Sequence, residues 1–255
     1  MALCFYEVDD TKAPDISVEE FLSECLLVPK GFSYRGQGDK NWDLVPSAFR
    51  ERTGATVSTI ERTRRLSYFL NDQQFEIDFK KIIDLAGKDE HIVISDEGGY
   101  KTLSMLTFFQ HFGIPTPLLD WTESPLIALF MSVFERPAGA HDISIFRYDP
   151  TLQPPDVTFQ QYEKIPFRRI QTQLGGILFF GTCNDKHIII NSHIYSEYIK
   201  DSKASRFIKK LNIRISSKDL EKISEALHNN GFREDMVFPN SLQYITNKIK
   251  EKVIG

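Results

Sequence analysis

Apolar residues recur along this chain with two distinct periods. Phe21, Leu22, Cys25 and Leu26 fall three and four apart, the spacing of one helix face, and Ser17 followed by Glu20 has capping-box spacing. The spacing predicts a helix over 18–27, ended by Pro29 and Gly31. The next residues alternate instead. Phe32 and Tyr34 share one side and Ser33 and Arg35 the other, which predicts a short strand over 32–36 followed by a turn at Gly36, Gly38 and Asp39. Ser58 and Glu61 give a second capping box, opening a long helical stretch to about Leu85 that is interrupted near Asn71–Asp72. A further helix is predicted from Tyr100 to Phe112, stopped by Gly113, and Pro115 and Pro117 force an extended stretch through Leu118 and Leu119. Ser124 suits an N-cap and Pro125 the first helical position, where its missing N–H costs nothing. Residues 125–134 are apolar nearly all round, so this helix should be buried.

The second half reads as strands over 142–148, 176–181, 187–191 and 205–215, with Pro150, Pro154 and Pro155 marking a long loop. Ser217 is expected to cap a helix to Asn229 that turns Leu220, Ile223 and Leu227 inward and ends at Gly231; a last helix is expected over 241–252. Together the elements predict an α+β fold: one domain over residues 1–255, with a mixed or antiparallel sheet core and an N-terminal helical insertion.

Composition narrows the functions open to such a domain. Hydrophobic residues are 41% and charged residues 26% of 255, which excludes collagen, coiled coil and wholesale disorder. The net charge of −4 argues against a whole-surface grip on nucleic acid. The basic groups Arg50, Arg52, Arg62, Arg64, Arg65 and Lys248, Lys250, Lys252 read as solvated faces, with the arginines the best place for a local nucleic-acid or acidic-protein contact. Twenty Phe and nine Tyr supply a core and material for an aromatic-walled pocket. The three cysteines, Cys4, Cys25 and Cys183, form no CxxC, and the six histidines show no metal-ligand spacing, so no metal is expected. The opening residues lack the basic and apolar regions of a signal peptide, and no apolar run reaches bilayer length; a cytoplasmic setting without membrane contact is expected. No GxSxG, Walker loop, GxGxxG or HExxH occurs.

Three segments carry candidate chemistry. In Tyr34-Arg35-Gly36-Gln37, a guanidinium on an aromatic strand suits bidentate binding of phosphate or carboxylate, and Gly36 would permit close approach; an arginine paired with a structural carboxylate fits equally. In residues 110–125, Asp120, Thr122 and Ser124 crowd the start of an apolar helix, where backbone amides can hold an anion, and Trp121 could stack on a flat ring; a capped helix over a core tryptophan is the plainer alternative. His111 reads as a semi-buried structural residue rather than a base. In residues 169–177, Gln171 and Gln173 share a face if extended, where their amides could address hydroxyls or a carboxamide, or simply the backbone at a strand entry.

Taken together, YRGQ at 34–37, Trp42 to Ser47, QHFGIPTPLLDWTESPLIAL at 110–129, RIQTQLGG at 169–176 and GFREDMVFPNSL at 231–242 resemble the FRG domain, a bacterial family named for its aromatic-Arg-Gly motif. The resemblance spans most of residues 20–250. Pro117 stands where the family often has an arginine before Leu-Leu-Asp-Trp, and Gly175-Gly176-Ile177 where it often has one glycine before an apolar pair.

The order of these segments is also similar, more distantly, to ADP-ribosyltransferases of the toxin type. That similarity implies an ADP-ribosyltransferase-like fold binding NAD as substrate, with Arg35, Gly36 and Gln37 toward its phosphates and Trp121, Thr122 and Ser124 shaping the nicotinamide pocket. It implies catalytic positions at Gln171 and Gln173, the latter where those enzymes have glutamate. A glutamine supplies no negative charge to an oxocarbenium-like transition state, so either Asp120 supplies the charge, the activity is altered, or the fold only binds a ligand. The implied activity is transfer of ADP-ribose to a protein or nucleic-acid acceptor, as in a toxin or defence effector. A non-catalytic nucleotide- or partner-binding module and a nucleic-acid-directed protein remain as alternatives. If a shared site exists, Arg35, Asp120, Thr122 and Gln173 should meet at one cleft.

Overall fold

A computed structural model describes residues 6–7, 15–25, 30–47, 92–93, 98–111, 116–134, 136–137, 142–161, 175–190, 192–200 and 203–229. The helices expected over 58–85 and 241–252, both basic groups, and the glutamines at 171 and 173 lie outside these residues.

The described helices are α1 (Val18–Cys25), α2 (Gly99–His111), α3 (Pro125–Phe134), α4 (Ser192–Lys200) and α5 (Ser217–Asn229). The strands are β1 (Tyr6–Glu7), β2 (Ile16–Ser17), β3 (Ser33–Gln37), β4 (Ile92–Val93), β5 (Leu119–Thr122), β6 (Asp142–Tyr148), β7 (Val157–Gln161), β8 (Gly175–Cys183), β9 (Ile188–Ile190) and β10 (Ile208–Arg214). All ten join one sheet in the order β1-β10-β6-β3-β5-β8-β9-β4, with β2 also on β10 and β7 also on β8. Every pairing is antiparallel except β2 with β10. The fold is thus a mixed sheet with helices packed on it, as expected from the pattern.

Alternation along the strands sorts the core into two layers. On one face Tyr34, Ile143, Ile145, Leu211 and Ile213 pack with Val18 and Phe21 of α1, Leu126, Ala128 and Leu129 of α3, and Ile223 and Leu227 of α5. On the other face Leu119, Trp121, Phe146, Tyr148, Leu178, Phe180 and Ile208 pack with Leu44, Phe207 and Tyr195 of α4. The nearly uniform hydrophobicity of 125–134 follows from its position: Leu126 to Leu129 are buried in sequence.

Local chemistry fixes the helix starts. The Glu20 amide donates to Ser17 Oγ at 3.1 Å and the Ser17 amide donates to Glu20 Oε2 at 2.8 Å, the reciprocal capping box read from the sequence. These bonds hold the Glu20 carboxyl below its ordinary pKa. The start of α5 corrects the expectation by one residue. Ser216, not Ser217, makes the box, its amide donating to Asp219 Oδ2 at 2.7 Å, because the acidic partner lies three residues beyond Ser216. Ser124 caps α3 as expected, its Oγ accepting from the Ile127 amide at 3.3 Å.

Besides the two-residue strands β1, β2 and β4, two elements were hidden in the sequence. The proline-marked loop contains β7, where Val157 and Phe159 alternate beside β8. Residues 192–200, for which no element was expected, form α4, and Ile194, Tyr195, Tyr198 and Ile199 show the helical spacing that was available to see.

Candidate functional site

β3 lies at the centre of the sheet, and its two edges are held unequally. Toward β6 the register runs through five consecutive pairs, from Ser33 with Tyr148 to Gln37 with Ser144. Toward β5 it contains one, Tyr34 with Thr122. Beyond that pair a side chain takes over from the backbone: Arg35 Nη1 donates to the Asp120 carbonyl oxygen at 2.9 Å. The guanidinium is therefore a clip across the seam between β3 and β5, bound to a neutral carbonyl. Among the described residues it has no ion-pair partner, and its Nε is buried without a hydrogen-bond partner. Of the two sequence readings of Arg35, the structural-carboxylate partner does not occur among these residues.

Alternation then decides which neighbours share Arg35's face. Tyr34 belongs to the layer of α1, α3 and α5, so Arg35 and Gln37 face the opposite layer, with Phe146 across the β6 register. Trp121 also belongs to that opposite layer. It is 3% exposed, its ring 5.8 Å from that of Tyr148, and its Nε1 is buried without a partner among the described residues. The indole is thus a core ring rather than an open stacking platform. The Asp120 and Thr122 side chains project to the other face, that of α3. Asp120 is exposed, so the structure brings Arg35 to the Asp120 backbone but sets its carboxylate on the opposite side.

The remaining expected residues hold the framework. Thr122 Oγ1 accepts from the Ser124 amide at 3.1 Å, one step before the α3 cap. Gly36 is needed by the protein itself: a Cβ there would stand 1.9 Å from the Ala128 carbonyl oxygen of α3. The expected room for a ligand beside Gly36 is occupied by the helix. Gln37 is 1% exposed, and its Nε2 donates to the Asp43 carbonyl at 3.2 Å. His111 is the last residue of α2. Gly175, two residues beyond Gln173 in the chain, pairs with Thr122.

Sequence reasoning passed over Lys40 and Lys210. The Lys40 ammonium bridges Asp142 Oδ2 at 2.7 Å and Asp15 Oδ2 at 2.9 Å, which raises its pKa, while its amide donates to the Asp142 carbonyl at 3.1 Å. Lys210 Nζ donates to the Lys40 carbonyl at 2.5 Å and lies 5.5 Å from the Phe146 ring centre. Burial lowers the Lys210 pKa, against the attraction of Asp43 and Asp39. A lysine next to Lys209 in an otherwise apolar-rich strand gives no sequence signal of such a role.

The face around Arg35 therefore joins two cations, Arg35 and Lys210, to a wall of aromatic rings. Residues 30–140 match the family model of the FRG domain. The matched segment contains Arg35, the 38–47 loop, the seam and α3. No curated protein and no solved structure matches the chain. Among the described residues, no group of histidine, cysteine and acidic side chains could hold a metal, and no helix is long and apolar enough to cross a membrane.

Proposed function

We propose that this FRG-containing protein binds an anionic nucleotide through Arg35, with NAD as the ligand to test first, and that it is an ADP-ribosyltransferase-like domain passing ADP-ribose to a macromolecular acceptor. The observation that supports the binding half is the Arg35 guanidinium. It is half-buried, has one hydrogen bond to a neutral carbonyl and no carboxylate partner among the described residues. A cation kept in that state gains from a phosphate, which can accept in the plane of the fork. The transfer half rests on the motif order, with the Gln173 position acting on the ribose.

A specific arrangement favours the second reading, a binding module without chemistry. Thr122 and Ser124 spend their hydroxyls on capping, Gly36 seats α3, and the Asp120 carboxylate lies across the sheet from the Arg35 side chain. One pair of assays separates the readings. Calorimetry with NAD on wild type and Arg35→Lys should show affinity reduced ten- to hundredfold, since loss of a charge-assisted bidentate contact costs about 1.5–3 kcal/mol. Nicotinamide release should then appear in wild type and be preserved or raised in Gln173→Glu. Equal NAD affinity in both proteins would make Arg35 purely structural. Arg35-dependent binding with background nicotinamide release across protein and nucleic-acid acceptors would select the binding module.

A further inference from the structure

The antiparallel registers bring Gln37, Ser144 and Asn212 into one row across β3, β6 and β10. All three lie on the Arg35 face of the sheet. Gln37 Oε1, Ser144 Oγ and Asn212 Oδ1 are each buried without a hydrogen-bond partner among the described residues. Gln37 is 1% and Ser144 0% exposed. The orientation of the Gln37 amide is set by the bond from its Nε2 to the Asp43 carbonyl, which leaves the acceptor end toward the interior. A serine hydroxyl can donate to one acceptor only. The row is therefore short of donors: it presents oxygens that call for N–H or O–H groups.

A roof crosses this row. Gln37 reaches Asp43, and Lys210, two residues before Asn212 on the same strand face, reaches the Lys40 carbonyl. Residues 40–43 therefore pass over the sheet between these two anchors, and the Lys40 pairs with Asp15 and Asp142 latch them. Next to the row, two residues back along β3, stands Arg35, whose Nε has no partner among the described residues.

We propose that Gln37, Ser144 and Asn212 form an internal subsite for the uncharged N–H-bearing head group of the nucleotide whose phosphate Arg35 takes, reached when residues 40–43 lift. This rests on the nucleotide reading above. The dimensions agree with it. Residues two apart on a strand are separated by about 7 Å, and three adjacent strands span about 10 Å. A nucleotide bridges such distances between its phosphate and its base. Acceptor oxygens select an amide or amine over a carbonyl or carboxylate, because the latter would leave the row unsatisfied and bring a further buried acceptor. Two parts of NAD carry that chemistry, the nicotinamide carboxamide and the adenine amine.

The test is calorimetry on the full chain with NAD, nicotinic acid adenine dinucleotide and nicotinamide hypoxanthine dinucleotide. The first analogue replaces the carboxamide amine with a carboxylate oxygen and the second replaces the adenine amine with a carbonyl. One of the two should bind at least tenfold more weakly than NAD, which names the head group. Ser144→Ala and Asn212→Leu should bind NAD as weakly as that analogue and lose the discrimination, while their melting temperatures hold or rise because each removes an unpartnered buried oxygen. Arg35-dependent binding that treats all three dinucleotides alike overturns the subsite and leaves the nucleotide reading standing; the row then holds water only. No binding of any dinucleotide by wild type overturns both. The wild-type comparison needs no variant to fold.

Discussion

Replacing Gly36 with alanine adds one methyl group where β3 passes beneath α3. Its carbon would stand 1.9 Å from the Ala128 carbonyl oxygen and 2.9 Å from both the Ala128 carbonyl carbon and Ser132 Cβ. Ordinary contact begins at 3.4 Å, so the oxygen is about 1.5 Å too near. Two of the three obstacles are backbone, and no rotamer change relieves them. Either β3 leaves its five-pair register with β6 or α3 rises from a face where Leu126, Ala128 and Leu129 are buried. Overpacking a core by a methylene costs about 1–3 kcal/mol. Lifting an entire helix forfeits neighbouring contacts too, so the expected loss is at the upper end, about 3 kcal/mol, a large share of a stability of about 5–15 kcal/mol. Urea denaturation followed by circular dichroism reads it as a lower midpoint at unchanged slope. Gly31→Ala is the control. Gly31 has φ +100° and nothing within 4 Å of an added Cβ, so it isolates backbone strain, about 1 kcal/mol. A Gly36→Ala loss no larger than the Gly31→Ala loss would refute the argument that α3 rests on this glycine.

Three further outcomes are expected. Gly181→Ala meets both obstacles at once, φ +151° and a Cβ 1.9 Å from the Ile189 carbonyl, so it should cost about 2–3 kcal/mol and speed hydrogen exchange in β9 specifically. Glu20 has a depressed pKa, so its contribution is full above the unfolded value near 4.5 and fades as pH falls through the folded one; Glu20→Gln should be less stable than wild type at neutral pH and equal to it in acid, by denaturation at several pH values. Lys40 has a raised pKa, so its contribution is present below 10.5 and lost as pH rises through the folded value; Lys40→Met should lose no more than about 1 kcal/mol at pH 7, because solvent reaches the ammonium, and match wild type in strong alkali.

What was legible in the sequence was what local rules determine. The boundaries of α3 and β6 agree with the expectation because Ser124-Pro125 starts one and a β-branched and aromatic run, Ile143, Ile145, Phe146 and Tyr148, marks the other. β7 was missed because prolines at 154 and 155 outweighed a short alternation ending in two glutamines. The site divides the same way. Arg35 could be singled out as a guanidinium on an aromatic strand, but its partner, a backbone carbonyl 85 positions away, exists only through the sheet order. Gly36 was attributed to ligand approach because sequence cannot say which backbone comes near, and the helix does. The row of Gln37, Ser144 and Asn212 depends on register between strands far apart in the chain, which no spacing encodes.

The unequal edges of β3 also have a consequence in time. Five consecutive pairs tie β3 to β6, while one pair and one guanidinium tie it to β5. A sheet so joined opens along its thinnest line first, and β1, β2, β10, β6 and β3 would exchange their amide hydrogens as one cooperative unit, with β5, β7, β8, β9 and β4 as another. An anion that takes the spare donors of Arg35 draws on the same guanidinium whose Nη1 holds the Asp120 carbonyl. Ligand occupancy and the breathing of the seam are thereby coupled through a single side chain, and the slowest-exchanging half of the sheet need not be the half that the ligand touches.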